Sequence, residues 1–223
     1  MNPALRSSAA HVFVESLADL TLHPDDAHHL FRVLRLREGE SVTVSDGCGS
    51  WQATEVVGQA LRPVGEPTCE HAASRLTIAS AIPKGDRAEW MVQKLTEVGV
   101  TEIVLLHCER SVVRWEGDRA ERQLSRARRV AREAAMQSRR VWLPTVSGPV
   151  PVADVLALDE VVVAEPAGVP AGALGWMPRG VVIGPEGGFS PGELAVASAL
   201  VALGPNVLRI ETAALVAAVQ FLS

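Results

Sequence analysis

Apolar and polar positions change their period along this chain, and the change divides it in two. Up to about residue 70 the apolar residues come in short runs: 11–15 (HVFVE), 41–45 (SVTVS) and 51–57 (WQATEVV). The last two flank an Asp46-Gly47-Cys48-Gly49 turn. Such runs bounded by turn residues predict short strands. One helix is expected among them, over 25–36, with Leu30, Val33 and Leu34 as its apolar stripe and Asp25 or Asp26 as its cap. Closely spaced strands with one helix fit a small β-barrel. Residues 62–74 (RPVGEPTCEHAAS), rich in Pro, Gly and polar groups, read as a linker.

Beyond it the pattern becomes strand and helix in alternation. Residues 76–82 and 103–106 predict strands, and 161–164 and 181–183 are continuous apolar runs of the kind found in a parallel sheet covered on both faces. Helices are expected over 86–98, with Trp90, Met91, Leu95 and Val98 on one face, and over 119–138, 191–203 and 213–222. Alternation of this kind means an α/β domain. The expected organisation is therefore a barrel domain over residues 1–70 and an α/β domain over 75–223, with no internal repeat.

Composition narrows the classes. A 223-residue chain with 48% apolar and 21% charged residues is ordinary for a globular protein. Nothing near its start has the apolar core of a signal peptide, and no run approaches the ~20 apolar residues of a membrane-spanning helix. The three cysteines, Cys48, Cys69 and Cys108, are odd in number and far apart, which disfavours a disulfide framework and a metal site. A reducing, cytoplasmic setting with no membrane and no metal is the expectation. Net charge is −5, yet ten arginines against four acids fall between Arg110 and Arg140, whereas from Val141 onward two arginines face seven acids. The asymmetry suggests one polyanion-facing surface on an acidic protein, or else a solvated arginine-rich helix face. His11, His23, His71 and His107 read as surface or core residues, and the five tryptophans as packing groups.

Two segments carry candidate chemistry. VVIGPEGGFS, 181–190, breaks a buried strand with three glycines and an acid just before a helix. That position is the carboxyl edge of a parallel sheet, where open α/β folds bind ligands. Glycine lets backbone N–H groups approach a ligand. The loop is neither GxGxxG nor a P-loop, and a tight turn is the competing reading. LGPNVLRIETAA, 203–214, repeats the arrangement: Gly-Pro, a short apolar piece, then Arg209 and Glu211 before an apolar helix. There Glu211 or Thr212 as a helix cap, or a buried Arg209–Glu211 pair, are the competing readings.

Together these segments closely resemble the SPOUT-class RNA methyltransferases, in particular the family that methylates N3 of a uridine in 16S ribosomal RNA. IGPEGG and LGxxxLRxETA are that family's signatures. HLFRVLR (29–35), KGDR (84–87), QKLTEVGV (93–100), ERSVV (109–113) and AREAAMQS (131–138) match in the expected order. One departure is Ile210, where the family usually has Thr.

The resemblance implies an N-terminal PUA-like barrel that docks RNA and a C-terminal α/β domain with a deep trefoil knot, working as a homodimer with S-adenosylmethionine. Three cofactor loops are implied. The first holds Val163, Ala164 and Glu165; the second Ile183, Gly184, Pro185, Glu186, Gly187 and Gly188; the third Leu203, Leu208, Arg209, Glu211, Thr212 and Ala213. Arg209 is the expected stabiliser of a uridine anion, and Glu211 or Glu186 either accepts the imide proton or orients Arg209. His29, Arg32, Arg35, Lys84, Arg87, Arg110, Arg132 and Arg140 are the RNA-binding candidates, with Arg32 and Arg35 three apart on one helical face. The partner is 16S ribosomal RNA or the small ribosomal subunit. The other readings are a SPOUT enzyme with a different RNA target, such as a ribose 2′-hydroxyl, and a catalytically silent RNA-binding or ribosome-assembly protein.

Overall fold

The computed structural model describes residues 2–71 and 75–222. These fall into two compact units: one holds the residues up to 71 together with Arg132–Leu143, the other those from 75 to 131 and from Pro144 onward.

The first unit is a four-stranded sheet in the order β1-β2-β3-β4, comprising Ala10–Phe13, Ser41–Ser45, Ser50–Val57 and Ala60–Cys69. β1 runs parallel to β2, and the other pairs are antiparallel. Val12, Val42, Val44 and Val56 alternate into a core completed by Leu30 and Leu61. Residues 62–69 are therefore strand, not linker; residues 72–74 lie outside the described residues. Prolines 63 and 67 mask the strand in the sequence, but β4 is the sheet's edge, where a missing N–H costs no ladder bond.

The helix of this unit also differs from expectation. After a short α1 (Pro3–Ser7), α2 covers only Pro24–His28, and a π-helical turn follows over His29–Val33. His23 is the cap, its ring accepting from the Asp25 N–H, because Pro24 is pre-organised for the first helical position. Asp26 is buried instead. The wider π turn breaks the 3.6-residue stripe: Leu30 is in the core, whereas Val33 and Leu34 are 58% and 43% exposed. Arg35 has φ of +55° just past the turn, so Arg32 and Arg35 do not share a helical face.

The second unit is a six-stranded parallel sheet in the order β10-β8-β9-β5-β6-β7. Its strands are β5 (Thr77–Ala81), β6 (Glu102–His107), β7 (Thr145–Pro151), β8 (Val161–Pro170), β9 (Gly180–Ile183) and β10 (Leu200–Ala202). Its helices are α3 (Arg87–Val98), α4 (Gly117–Gln137, whose last residues belong to the first unit), α5 (Val152–Leu156), α6 (Pro191–Ala195) and α7 (Ile210–Phe221). α7 packs on α3, β5 and β9. On α3 the buried face is Ala88, Met91, Val92, Leu95 and Thr96, while Trp90 and Val98 are 41% and 38% exposed, contrary to the expected stripe.

The helix expected over 191–203 stops after Ala195, and the chain turns into β10, which pairs with β8. Hydrogen bonding to an existing sheet edge there overrides the helical propensity of an alanine-rich stretch. β7 and α5 had no counterpart in the sequence reading. Among the described residues no helix is long and apolar enough to cross a membrane.

Candidate active site

Every strand of the larger sheet points the same way, so the segments leaving their carboxyl ends gather along one edge. Three neighbours matter most. β8 pairs with β9 through Ala164↔Ile183 and with β10 through Leu200↔Val163. The three segments expected to bind cofactor therefore lie side by side in the fold although they are far apart in sequence. The first is not a loop: Val163, Ala164 and Glu165 sit within β8, with Val163 fully buried.

The second segment is a tight loop. The Gly188 N–H donates to the Pro185 carbonyl at 2.8 Å, and Gly188 has φ of +69°. A Cβ on Gly184 would stand 2.7 Å from the buried Phe189 ring, so only glycine fits there. Pro185 is buried beneath, while Glu186 and Gly187 are exposed. A Cβ added at Gly187 would come into ordinary contact with Arg110, 3.4 Å from its Cβ.

The loop is held at its carboxyl end by the turn after β6. Ser190 and Glu193 form a reciprocal capping box that starts α6. The Glu193 carboxylate, 8% exposed, accepts from the Ser190 N–H at 2.7 Å and from the Glu109 N–H at 2.8 Å. Arg110 Nη1 donates to the Gly187 carbonyl at 3.1 Å. Burial, with the Glu193 charge beside it, pushes the Cys108 thiol up to about 12, so this cysteine is a core group and not a nucleophile. Glu193 was missed from the sequence, although Ser190-Pro191-Gly192-Glu193 carries the S-x-x-E capping signature.

The third segment ends at the start of α7, where the competing readings are overturned. Arg209, exposed, occupies the N-cap, with Glu211 at the second helical position. Neither Glu211 nor Thr212 caps the helix. Glu211 is 7% exposed, and its Oε1 lies 3.3 Å from Nη1 of Arg87 on α3, not against Arg209. Its other oxygen, Oε2, is buried with no hydrogen-bond partner among the described residues. Thr212 is exposed, and Leu208 and Ala213 are partly buried. Ile210 is 3% exposed within the core, which gives its apolar side chain a packing role.

A cavity of about 640 Å³ opens beside this segment, lined by Leu203 and Gly204, by Pro170 at the end of β8, and by Trp176, Met177 and Phe221. Of the expected cofactor residues only Leu203 lines it. Its walls are apolar apart from Gln220, as suits a flat organic group. The unpartnered Glu211 Oε2 and this apolar-walled cavity fit a ligand that brings both polar donors and an apolar ring. Among the described residues no cluster of His, Cys, Asp and Glu could hold a metal ion.

The RNA-binding candidates divide. His29, Arg32 and Arg35 are exposed in the first unit, and Lys84 and Arg110 in the second. Arg87 is engaged by Glu211 and by the Lys84 carbonyl. Arg132 forms a two-point pair with Asp26, donates to the Phe13 carbonyl at 3.2 Å and lies over the Phe13 ring. Burial pushes Arg140 down to about 10, and its carbonyl oxygen lies 3.0 Å from Nε2 of the buried His11. Arg132 and Arg140 are thus tied into the first unit.

Residues 70–222 match the RNA methyltransferase domain family, and residues 22–56 match the RNA methyltransferase PUA domain. The Ribosomal RNA small subunit methyltransferase E of Mycobacterium bovis is 34% identical over 92% of this chain and 88% of its own length. The Bacillus subtilis protein of the same name is 29% identical over 92% of this chain and 90% of its own. The crystal structure of a Ribosomal RNA small subunit methyltransferase E from Neisseria gonorrhoeae bound to S-adenosyl methionine superposes with a TM-score of 0.81 at 26% identity, covering 94% of this chain and 95% of that one. With a PUA-like first domain and a parallel-sheet second domain, the chain belongs to the SPOUT-class RNA methyltransferases, in the family of the ribosomal RNA small subunit methyltransferases E.

Proposed function

We propose that this protein methylates N3 of a uridine in 16S ribosomal RNA, as a cytoplasmic, S-adenosylmethionine-dependent homodimer whose second domain is knotted. The observation that carries the reading is the convergence of the 163–166, 183–188 and 203–213 segments on one sheet edge, with Arg209 exposed beside them.

Bound there, S-adenosylmethionine supplies an electrophilic methyl on a sulfonium. Uridine N3 carries an imide proton and is a poor nucleophile until that proton leaves. The chain has three tasks. The first is alignment: backbone groups of residues 183–188, braced by Glu193 and Arg110, hold one reactant against the other. The second is charge: Arg209 faces solvent at the N-cap of α7, where its guanidinium meets the negative charge that spreads over the uracil ring. The third is the proton, for which Glu186 and Glu211 are the available carboxylates. The PUA-like domain docks the RNA through His29, Arg32 and Arg35, and the target base leaves its stack to present N3.

The test is mass spectrometry of 16S ribosomal RNA from a strain lacking the gene, with and without the gene restored. Loss of 3-methyluridine that the restored gene reverses is expected. Loss of a ribose-methylated nucleoside instead would overturn the N3 assignment. Unchanged RNA, together with no S-adenosylmethionine binding by calorimetry, would overturn the enzyme reading altogether.

A further inference from the structure

Val33 and Leu34 are exposed because of how the turn after α2 is wound. Leu30 lies in the core of the first unit, and Phe31 and Leu36 pack against that core. The Leu34 N–H donates to the His29 carbonyl at 2.9 Å, and the Leu36 N–H to the Leu30 carbonyl at 3.1 Å. The wide turn is thus closed by its own backbone and anchored on both sides, with the two aliphatic side chains left outside. A single exposed aliphatic residue is ordinary. These two are adjacent, and Arg35 follows them at φ of +55°, a left-handed conformation that glycine adopts freely and a residue with a Cβ does not.

The charges around the pair indicate what it can meet. From Ala27 to Arg37 the chain holds Arg32, Arg35, Arg37 and two histidines, and no acid. All three arginines are exposed, and none forms an ion pair among the described residues. The acids on either side are engaged: Asp26 is buried against Arg132, Glu38 accepts from the Gly58 N–H, and Glu40 from the Arg37 N–H. Two aliphatic side chains framed by three unpaired guanidiniums complement a polyanion that also offers apolar faces. An RNA strand with a base turned out of its stack offers both. A lipid surface calls for a longer apolar face than one turn supplies.

We infer that Val33 and Leu34 pack against an unstacked base of the RNA, with Arg32, Arg35 and Arg37 on the phosphates beside it. The inference rests on the docking role proposed above for the PUA-like domain and gives that surface a preference. Phosphate contacts position a strand whether or not its bases are stacked. An apolar contact with a base is made only where the base is free, and aliphatic side chains serve as wedges between base steps in other nucleic-acid complexes. The pair therefore favours RNA that is already open, the state in which N3 of a uridine can be reached.

The double variant Val33→Thr, Leu34→Gln removes apolar surface at similar size and leaves the arginines in place. Binding is measured to a single-stranded oligouridine, whose bases are free, and to an RNA duplex of equal length, whose base faces are hidden, each over a series of salt concentrations. Oligouridine affinity should fall about fivefold, the low end of what one base contact contributes. The salt slope should stay as in wild type because the phosphate contacts remain, and duplex affinity should stay within twofold. Leu34→Met alone, which keeps the apolar surface, should bind like wild type. Oligouridine affinity within twofold of wild type in the double variant would overturn the inference, and so would an equal loss on the duplex or a flatter salt slope. A melting temperature several degrees below wild type would make the two side chains packing groups and overturn it as well. Vesicles of anionic phospholipid that bind wild type but not the double variant, with oligouridine affinity unchanged, would assign the patch to a lipid surface instead. Wild-type protein that binds neither RNA would overturn the docking reading beneath the inference.

Discussion

Glu193→Gln exchanges one oxygen for an NH₂ group in a side chain that is 8% exposed. The native carboxylate accepts from two backbone N–H groups at once, Ser190 at 2.7 Å and Glu109 at 2.8 Å. A glutamine can satisfy one of them with its carbonyl oxygen. Its NH₂ then faces the other N–H at under about 3 Å, a donor against a donor. One hydrogen bond to a charged acceptor is lost, worth about 1.5–3 kcal/mol, and a backbone donor is left buried without a partner. The expected destabilisation is about 3 kcal/mol. For a chain of this size, each kcal/mol lowers the melting temperature by roughly 2–4 °C, so a fall of roughly 6–12 °C is expected.

The functional consequence follows from what Glu193 joins. Ser190 ends the glycine loop and Glu109 begins the turn after β6, so the substitution frees one end of the loop and leaves Arg110 on Gly187 as the remaining tie. S-adenosylmethionine affinity should fall by about tenfold, because the loop's backbone groups must then be ordered by the ligand itself. Thermal unfolding with and without cofactor, beside calorimetry, reads both numbers. A melting temperature within 2 °C of wild type, or an unchanged affinity despite the expected fall in stability, would refute the brace.

Burial, opposed by the bond to the Arg140 carbonyl and aided by the Arg139 charge, holds the His11 imidazole down at about 4. The unfolded chain therefore binds the extra proton first: stability is fully present above pH ~6.5 and declines by about 3 kcal/mol toward pH 4. His11→Gln should flatten that part of the pH dependence of the urea midpoint, and an equally steep dependence would contradict it. Gly187→Val should abolish S-adenosylmethionine binding while the first unit stays folded, since a branched side chain there enters space the ligand needs and presses on Arg110, 3.4 Å from the added Cβ; normal binding would remove this loop from the site. Replacing Arg32 and Arg35 with Ala should weaken RNA binding and flatten its salt dependence while cofactor affinity holds, and an unchanged salt slope would make these residues merely solvated. Arg209→Lys keeps the charge but loses the planar fork, so turnover should fall by about 10²-fold, and near-normal turnover would rule out its role toward the uridine anion.

Which elements could be read from the chain depended on how much of their stability is local. The buried strands β2, β5 and β9 announce themselves because the side chains that bury them are their own: Val42 and Val44, Ile78, Val181 and Val182. β4 and β10 are edge strands, and what makes them strands is a neighbour's hydrogen-bonding edge. The prolines of β4 and the alanines before β10 carry no trace of that neighbour. The π turn at 29–33 hides for a related reason: one extra residue in a turn rotates Val33 and Leu34 away from the core, and nothing in their apolar character reveals it.

The site divides along the same line. Residues 183–188 are legible because the loop's requirements are local: a glycine at 184 for Phe189, a left-handed glycine at 188, a buried strand before and a capped helix after. Glu211 is not, since its partner lies 124 residues away on α3. In sequence, an acid next to an arginine and ahead of an apolar helix points to a cap or to an Arg209 pair. Only the packing of α3 on α7 brings Arg87 to it. That packing also changes how the arginines are read. The count between Arg110 and Arg140 suggests one polyanion-facing surface, yet Arg126 answers Glu89, Arg132 answers Asp26 and Arg140 is only partly exposed. The RNA-binding candidates that remain exposed are His29, Arg32 and Arg35 in the first unit and Lys84 and Arg110 in the second, and within the counted stretch Arg119 and Arg122 of α4 are exposed as well. Arg110 holds the 183–188 loop through one of its nitrogens, which leaves its other N–H groups to a phosphate.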